Sequence, residues 1–133
     1  YDDKSEKKFN KISKKIKVNF LGNLENIQDL YSANDVFFSP MNYHVGIRTR
    51  IISALSNSIP VLAHKSSGYG LIEAVNERDL FFCDDYNDFV EKLYLLSKNT
   101  QISEKLSRNG RSLWERSFNP KINIPLLEKT LFS

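Results

Sequence analysis

A run of four consecutive residues has the types and spacing of a phosphate-binding helix start: Gly46, Ile47, Arg48 and Thr49. A glycine closes a polar loop here, and apolar residues then recur at helical spacing. The free N–H groups of a first helical turn and the positive end of the helix dipole attract anions. Arg48 and Arg50 would add positive charge. The alternative is an ordinary turn followed by a solvated basic face.

His44 lies in the same loop and is a further candidate ligand contact, although a lone histidine is more often structural or solvated. Metal and cofactor motifs are not found in the sequence. The adjacent Asp84 and Asp85 lack the D-x-D spacing of a metal pair, and one cysteine with two scattered histidines makes no ligand cluster. Neither a G-x-G-x-x-G sequence nor a P-loop is present. We therefore expect no metal and no cofactor.

The elements that must position these residues form a βαβ unit. Val36–Ser39 is an apolar, aromatic run that predicts a buried strand. A helix from Ile47 to Asn57-Ser58 follows, and then a second strand, Val61–Ala63. A strand, helix and strand in so short a stretch predict a parallel sheet. The loop before the helix then lies at the carboxyl end of a strand, where open α/β sheets bind ligands.

The rest of the chain predicts further alternating elements and an α/β fold, a Rossmann-like three-layer domain. The helix ending near Ser97 should turn Phe89, Val90, Leu93 and Leu96 inward, and the aromatic residues, Phe38 among them, should be core. The predicted elements are helix Ser5–Lys15, strand Val18–Leu21, helix Asn26–Asn34, a mobile ligand-contacting loop His64–Gly70, helix Leu71–Asn76, strand Asp79–Cys83, a helix from Asp84–Asn87 to Ser97, helix Ser103–Arg116 and helix Ile124–Leu131.

The bulk composition fits a single domain of 133 residues, with 41% apolar and 26% charged residues. The formal charge of +3 comes partly from a lysine-rich start, which indicates a solvated face or a weak peripheral contact with an anionic membrane, not nucleic-acid binding. The sequence has one cysteine, no apolar run of the ~18 residues that a bilayer requires and no signal peptide. It therefore predicts a cytoplasmic protein, with the inner membrane surface as one location.

In its ordered set of segments, the chain resembles the C-terminal, donor-binding half of retaining, family 4-like glycosyltransferases of the GT-B fold. The resemblance runs from about residue 6 to the end. It rests on Val18–Gly22, Leu30–Asp35, the Gly46 loop and helix, Pro60–Ala63, Gly68 and Ser117–Phe118.

The resemblance implies a transferase that moves a sugar from a nucleoside-diphosphate sugar to an acceptor hydroxyl, with retention and without a metal, as in polysaccharide biosynthesis. The residues implied to contact the donor phosphates and sugar are His44, Gly46, Ile47, Arg48 and Thr49. Ser53 would contact the ribose, and Gly22 and Asn23 the base through main chain. No catalytic residue is identified.

Two departures from the family pattern affect this interpretation. The positions of two family glutamates hold Val45 and Ser53, and a serine binds a ribose more weakly than a carboxylate. The family's first two strands, with a phosphate-binding Arg and Lys, have no counterpart. Residues 1–133 are therefore interpreted as an incomplete GT-B C-terminal domain whose partner, an N-terminal acceptor domain, is missing, and which alone would be inactive.

Two alternatives remain open. The loss of both glutamates suits a degenerate α/β scaffold or partner-binding module that binds no donor. A nucleotide-sugar epimerase on the same fold is a weaker alternative, because fold alone does not determine chemistry.

Overall fold

The structure of the chain is a computed structural model that describes residues 30–31, 35–44 and 46–132. The chain divides into two units, Tyr1–Leu30 and Tyr31–Ser133, and nearly all described residues belong to the second. The predicted helix Ser5–Lys15 and strand Val18–Leu21 lie outside the described residues, as do Gly22, Asn23, Val45 and most of the helix predicted over 26–34. That residues 1–133 form one domain stays a prediction.

In the described part of the chain, three parallel strands form one sheet in the order β1-β2-β3. They are β1 Phe37–Ser39, β2 Val61–His64 and β3 Phe81–Cys83. Phe37 lies opposite Val61, and Leu62 lies opposite Phe81. The predicted parallel sheet is confirmed, and its strands end at the same edge.

Four α-helices accompany the sheet among the described residues: α1 Thr49–Ser56, α2 Tyr86–Lys98, α3 Thr100–Ser117 and α4 Pro120–Phe132. Side chains cap the starts of α2 and α3. The Asp85 carboxylate accepts the Asp88 N–H at 3.0 Å before α2, and the Asn99 amide oxygen accepts the Ile102 N–H at 3.1 Å before α3.

The core lies on both faces of β2. Val61 and Ala63 pack in one cluster with Ile51 and Leu55 of α1 and with Leu113 of α3. Leu62 belongs to a second cluster, with Phe81, Cys83, Phe89, Leu96 and Leu106. Because successive strand residues point to opposite faces, the two clusters place α1 and α2 on opposite sides of the sheet. The fold is α/β in three layers, as the sequence predicts.

Two segments after β2 differ from the prediction. Residues Lys65–Gly70 form a 3₁₀ helix instead of an open loop, because the His64 ring accepts the Ser66 N–H at its start. The helix predicted over Leu71–Asn76 is wrong, and turns occupy this stretch. The Asp79 carboxylate accepts the Val75 N–H at 2.9 Å, so a side chain replaces the backbone carbonyl that would accept this N–H in a helix.

Smaller differences concern faces and ends. Val90, Leu93 and Phe38 are about half exposed instead of core, whereas Phe89 and Leu96 are buried as predicted. The last helix begins at Pro120, not near Ile124. Proline suits a first helical position, and the Asn119 side chain accepts the next free N–H, that of Lys121, at 3.0 Å.

Gly110 allows α3 to pack closely on α1. A Cβ there would lie 2.8 Å from the Leu55 Cδ2 and 3.0 Å from the Asp79 carbonyl oxygen. Leu55 is itself fully buried, and the second neighbour is backbone. Neither can move away without disturbing the core.

Asp79 joins the turn before β3 to α3. Its side chain is 1% exposed, and its Oδ2 accepts the Val75 N–H, Arg78 at 2.9 Å and Arg116 at 3.3 Å. Burial raises the pKa of Asp79, but the bonds from Arg78 and Val75 and the charge of Arg116 outweigh it, so the pKa lies below its usual value.

We predict that Gly110→Ala lowers the free energy of unfolding by roughly 1–3 kcal/mol because the added methyl overpacks this contact. The matched control is Ser112→Ala on the exposed face of α3, which should change stability by less than about 0.5 kcal/mol. Urea denaturation measures both. A more stable Gly110→Ala would contradict the close packing, since helix propensity alone favours alanine.

We predict that Asp79→Asn lowers the free energy of unfolding by roughly 1–3 kcal/mol at pH 7, because an amide cannot accept from all of these donors. Asp84→Asn is the control, since its pair with Lys65 is exposed.

The Asp79 effect should depend on pH. Because its folded-state pKa is lowered, the carboxylate stabilises the fold above its unfolded pKa of about 3.9, and this is lost as pH falls through the folded value. The difference between wild type and variant should therefore shrink below pH ~4 in denaturation curves. A pH-independent difference would contradict the assigned role.

Candidate functional site

A cleft of about 600 Å³ opens where β1 ends and α1 begins. It contains Gly46, Ile47, Arg48 and Thr49, which the sequence predicts as a phosphate site, and also Arg50. None of the described residues that line it is acidic. The full lining is Phe37, Phe38, Ser39, Pro40, Met41, Gly46, Ile47, Arg48, Thr49, Arg50 and Ile51.

The start of α1 faces this cleft, and neither a side-chain cap nor an acidic residue of its first turn neutralises its positive end. The helix begins at Thr49, two residues later than predicted, and Arg48 at the N-cap makes no capping bond through its side chain. Its first turn contains no acidic residue. The Ile51 N–H donates to the Arg48 carbonyl at 2.9 Å, so the N–H groups of Thr49 and Arg50 are the ones that lack a partner within the helix and can bind an anion.

Arg48 is buried, so it does not belong to the solvated basic face that was the alternative interpretation of this stretch. Its side chain is 7% exposed, and one guanidinium nitrogen donates to the Tyr43 carbonyl at 2.6 Å and to the Met41 carbonyl at 3.3 Å. Its Nε is buried without a hydrogen-bond partner among the described residues. Arg48 therefore holds the loop after β1 against the helix start, and Arg50 is the exposed cation of the cleft.

The 3₁₀ helix fastens the same loop from its other side. The Ser66 hydroxyl donates to the Met41 carbonyl at 3.0 Å. Gly70 lies against the backbone of the loop, where a Cβ would come within 2.6 Å of the Gly46 carbonyl oxygen and 2.8 Å of the Ile47 Cα. Gly46 itself has a φ of +20° and open space around it. Gly70 thus allows the two segments to touch, while Gly46 is needed only for its positive φ.

His44 lies in a different place from the predicted phosphate-binding residues. It lines a second cavity of about 430 Å³ with Asn42, His64, Lys65, Ser66 and Tyr69. Its ring meets that of Tyr69 edge to face, with centroids 4.2 Å apart. His44 therefore lines a different cavity from Gly46–Thr49, although both belong to the same loop and the start of the same helix.

Ser53 lines neither cavity. It is half-buried on α1, and its carbonyl accepts from the Ser56 hydroxyl and the Asn57 amide. Its role toward a ribose stays a prediction. Sequence reasoning missed Lys65, Ser66 and Tyr69 individually, although it did assign their segment to ligand contact from its glycine and serine content.

Outside the two cavities, the described residues show no reactive thiol, metal-ligand cluster or membrane-spanning helix. Burial raises the pKa of the Cys83 thiol to about 11, so it is a poor nucleophile at neutral pH. Among the residues that the structure describes, no three His, Cys, Asp or Glu side chains cluster as metal ligands would. Nor does any described helix combine the length and the apolar character needed to cross a membrane.

Comparison with known proteins gives a family match. The model of the family described as "Glycosyl transferases group 1" matches residues 2–99, which is most of the chain and includes both cavities. No curated protein matches significantly, and no solved structure does.

We predict that Gly70→Ala forces the loop after β1 out of place, because the methyl would overlap the Gly46–Ile47 backbone. The variant should lose roughly 1–3 kcal/mol of stability, and the Ile51 and Ile52 amides, which donate to the Arg48 carbonyl at 2.9 and 3.3 Å, should exchange faster. Gly68→Ala is the matched control, since a Cβ there would make ordinary contact with Phe82 at 3.6 Å. Equal exchange in the two variants would contradict the proposed fastening.

Proposed function

The chain belongs to the group 1 glycosyl transferases, and we propose that it forms the donor-binding part of such an enzyme. The observation that carries the proposal is the cleft at the start of α1, which has the N–H groups of Thr49 and Arg50, an exposed Arg50 side chain and no acidic residue among its described lining. In this proposal the diphosphate of a nucleotide sugar binds the N–H groups of Gly46–Thr49.

The electrostatics of the cleft suit the departure of a nucleoside diphosphate. When the bond from the sugar to the diphosphate breaks, negative charge develops on the diphosphate. Preorganised N–H dipoles and the guanidinium of Arg50 stabilise that charge without reorganisation. Arg48 acts one step back, because one of its guanidinium nitrogens donates to two loop carbonyls and its side chain is buried against the loop. Transfer in this proposal is retaining and needs no metal.

The remaining contacts extend the proposal beyond the cleft. Ser53 lies farther along α1 and would meet the ribose, and Gly22 and Asn23 would meet the base through main chain. The acceptor and any general base would come from an N-terminal domain of the GT-B kind. The resemblance to family 4-like C-terminal halves supports this arrangement. In this proposal the enzyme works in the cytoplasm, at the inner membrane surface, in polysaccharide biosynthesis.

A scaffold or partner-binding module without donor binding is the second candidate. It is favoured by Val45 and Ser53 at the positions of the two family glutamates, and by the position of Ser53 outside the cleft. In this candidate, the Arg48 contacts serve only to order the loop. The two candidates differ in whether nucleotides protect α1.

We predict that UDP or GDP slows hydrogen exchange of the amides from Gly46 to Ile52 in the 133-residue chain. Arg50→Gln should weaken nucleotide binding by roughly 3- to 10-fold, since it removes one charge-assisted contact. Arg108→Gln is the matched control, because Arg108 is an exposed arginine on α3. Calorimetry measures the affinities, and EDTA should not change them.

Protection elsewhere, or none with either nucleotide, would favour the scaffold. A loss of affinity of the same size in Arg108→Gln would show that only the overall charge matters. For the donor site we expect nucleotide protection of α1 that is weakened by Arg50→Gln and unchanged by Arg108→Gln.

A further inference from the structure

The second cavity is distinct in its chemistry. Both histidines of the chain, His44 and His64, line it, with an ammonium, an amide, a hydroxyl and a phenol from the other four residues. None of its described lining residues is acidic or aliphatic. A cavity with hydrogen-bond donors and a cation, and without a carboxylate, suits an anionic polar ligand.

The His64 ring is held in one tautomer. Its Nδ1 accepts the Ser66 N–H at 3.2 Å, while the Ser66 hydroxyl is committed to the Met41 carbonyl. The neutral ring therefore carries its proton on Nε2, which is a donor. The 3₁₀ helix thus presents His64 as a fixed hydrogen-bond donor.

Lys65 supplies a charge that can change partners. Its ammonium lies 3.2 Å from the Asp84 carboxylate, with both side chains more than 60% exposed. An exposed pair of this kind contributes about 0–1 kcal/mol. A ligand carboxylate can therefore displace Asp84 at little cost.

An aromatic surface completes the cavity. The Tyr69 ring is 75% exposed and lies edge to face with His44. Such a ring has an apolar face and a polar tip, and it matches a sugar ring with its C–H face and its hydroxyls. The lining therefore favours a carbohydrate over a small inorganic anion.

One loop joins this cavity to the phosphate cleft. The Met41 carbonyl accepts from Arg48, which lines the cleft, and from Ser66, which lines the cavity. The Gly46–Gly70 contact joins the same two segments. The cleft and the cavity therefore adjoin the same loop, and the candidate ligand is one phosphorylated sugar that reaches both.

We propose that the second cavity binds the carboxylate of an acidic sugar, of the uronic acid class, whose anomeric phosphate lies in the cleft at α1. This inference rests on the proposed donor function and adds the charge of the sugar to it. Lys65 and His64 bind the carboxylate, and Tyr69 packs on the sugar ring.

The test compares glucuronic acid 1-phosphate with glucose 1-phosphate on the 133-residue chain. Because the chain has two histidines and both line the cavity, their imidazole NMR signals report on it directly. We expect the acid to shift both signals and to bind about 3- to 10-fold more tightly than glucose 1-phosphate, from one charge-assisted contact at an exposed site. Equal affinities would overturn the proposal, as would equal shifts with inorganic phosphate, which would indicate an adventitious ion only.

The two members of the Lys65–Asp84 pair give a sharper test, because they should act in opposite directions. Lys65→Met should abolish the preference for the acid. Asp84→Asn should keep or increase it, since it removes a competitor for the ammonium. If both variants lose the preference, the pair is structural and the proposal fails.

Failure of this inference is distinguishable from failure of the donor function. If UDP or GDP protects α1 but the chain does not prefer the sugar acid, only the assignment of an acidic sugar to the second cavity is overturned. A preference for the acid without nucleotide protection supports the cavity and contradicts the nucleotide donor. No response in either assay overturns both.

Discussion

The buried guanidinium of Arg48 is the contact on which the site depends. Removing a cation from water is costly unless it is hydrogen-bonded, and here the carbonyls of Met41 and Tyr43 accept from it. These bonds draw the loop after β1 onto the first turn of α1. Without them, the loop would have to satisfy its carbonyls in water, away from the helix. The Arg48 guanidinium thus holds the loop in place, and the start of α1 remains accessible from the cleft.

The same loop connects two different chemical environments. On one side are main-chain N–H groups and Arg50, which suit phosphate oxygens. On the other are imidazoles, an ammonium and an aromatic ring, which suit a charged sugar. Ser66 and Gly70 of the 3₁₀ helix hold the second side in place through the Met41 carbonyl and the Gly46 backbone. A phosphorylated sugar could therefore be recognised at both of its ends by one short loop, held between two helices that begin at the carboxyl ends of neighbouring strands.

Much of the fold could be predicted because local signals were strong. The apolar runs before Ser39 and at Val61 are too short and too rich in aromatic and β-branched residues for helices, and both are strands. Asp85 caps α2 within the predicted Asp84–Asn87, whereas α3 begins at Thr100, three residues before the predicted Ser103, because Asn99 caps it. Prediction was wrong over 71–76, since the Asp79 side chain competes there for the Val75 N–H. That partner lies beyond the segment, and no local pattern reports it.

For the site, the sequence by itself determined the residue types, the strand–loop–helix order and hence the helix start at the sheet edge. Those properties follow from apolar period and chain connectivity, which are local. Only the tertiary structure decided that Arg48 is buried while Arg50 is exposed, although only Thr49 lies between them in the sequence. It likewise placed His44 in a different cavity from Gly46, with its ring against Tyr69. These choices depend on carbonyls and side chains from other segments, whose positions are set only when the 3₁₀ helix packs against the loop.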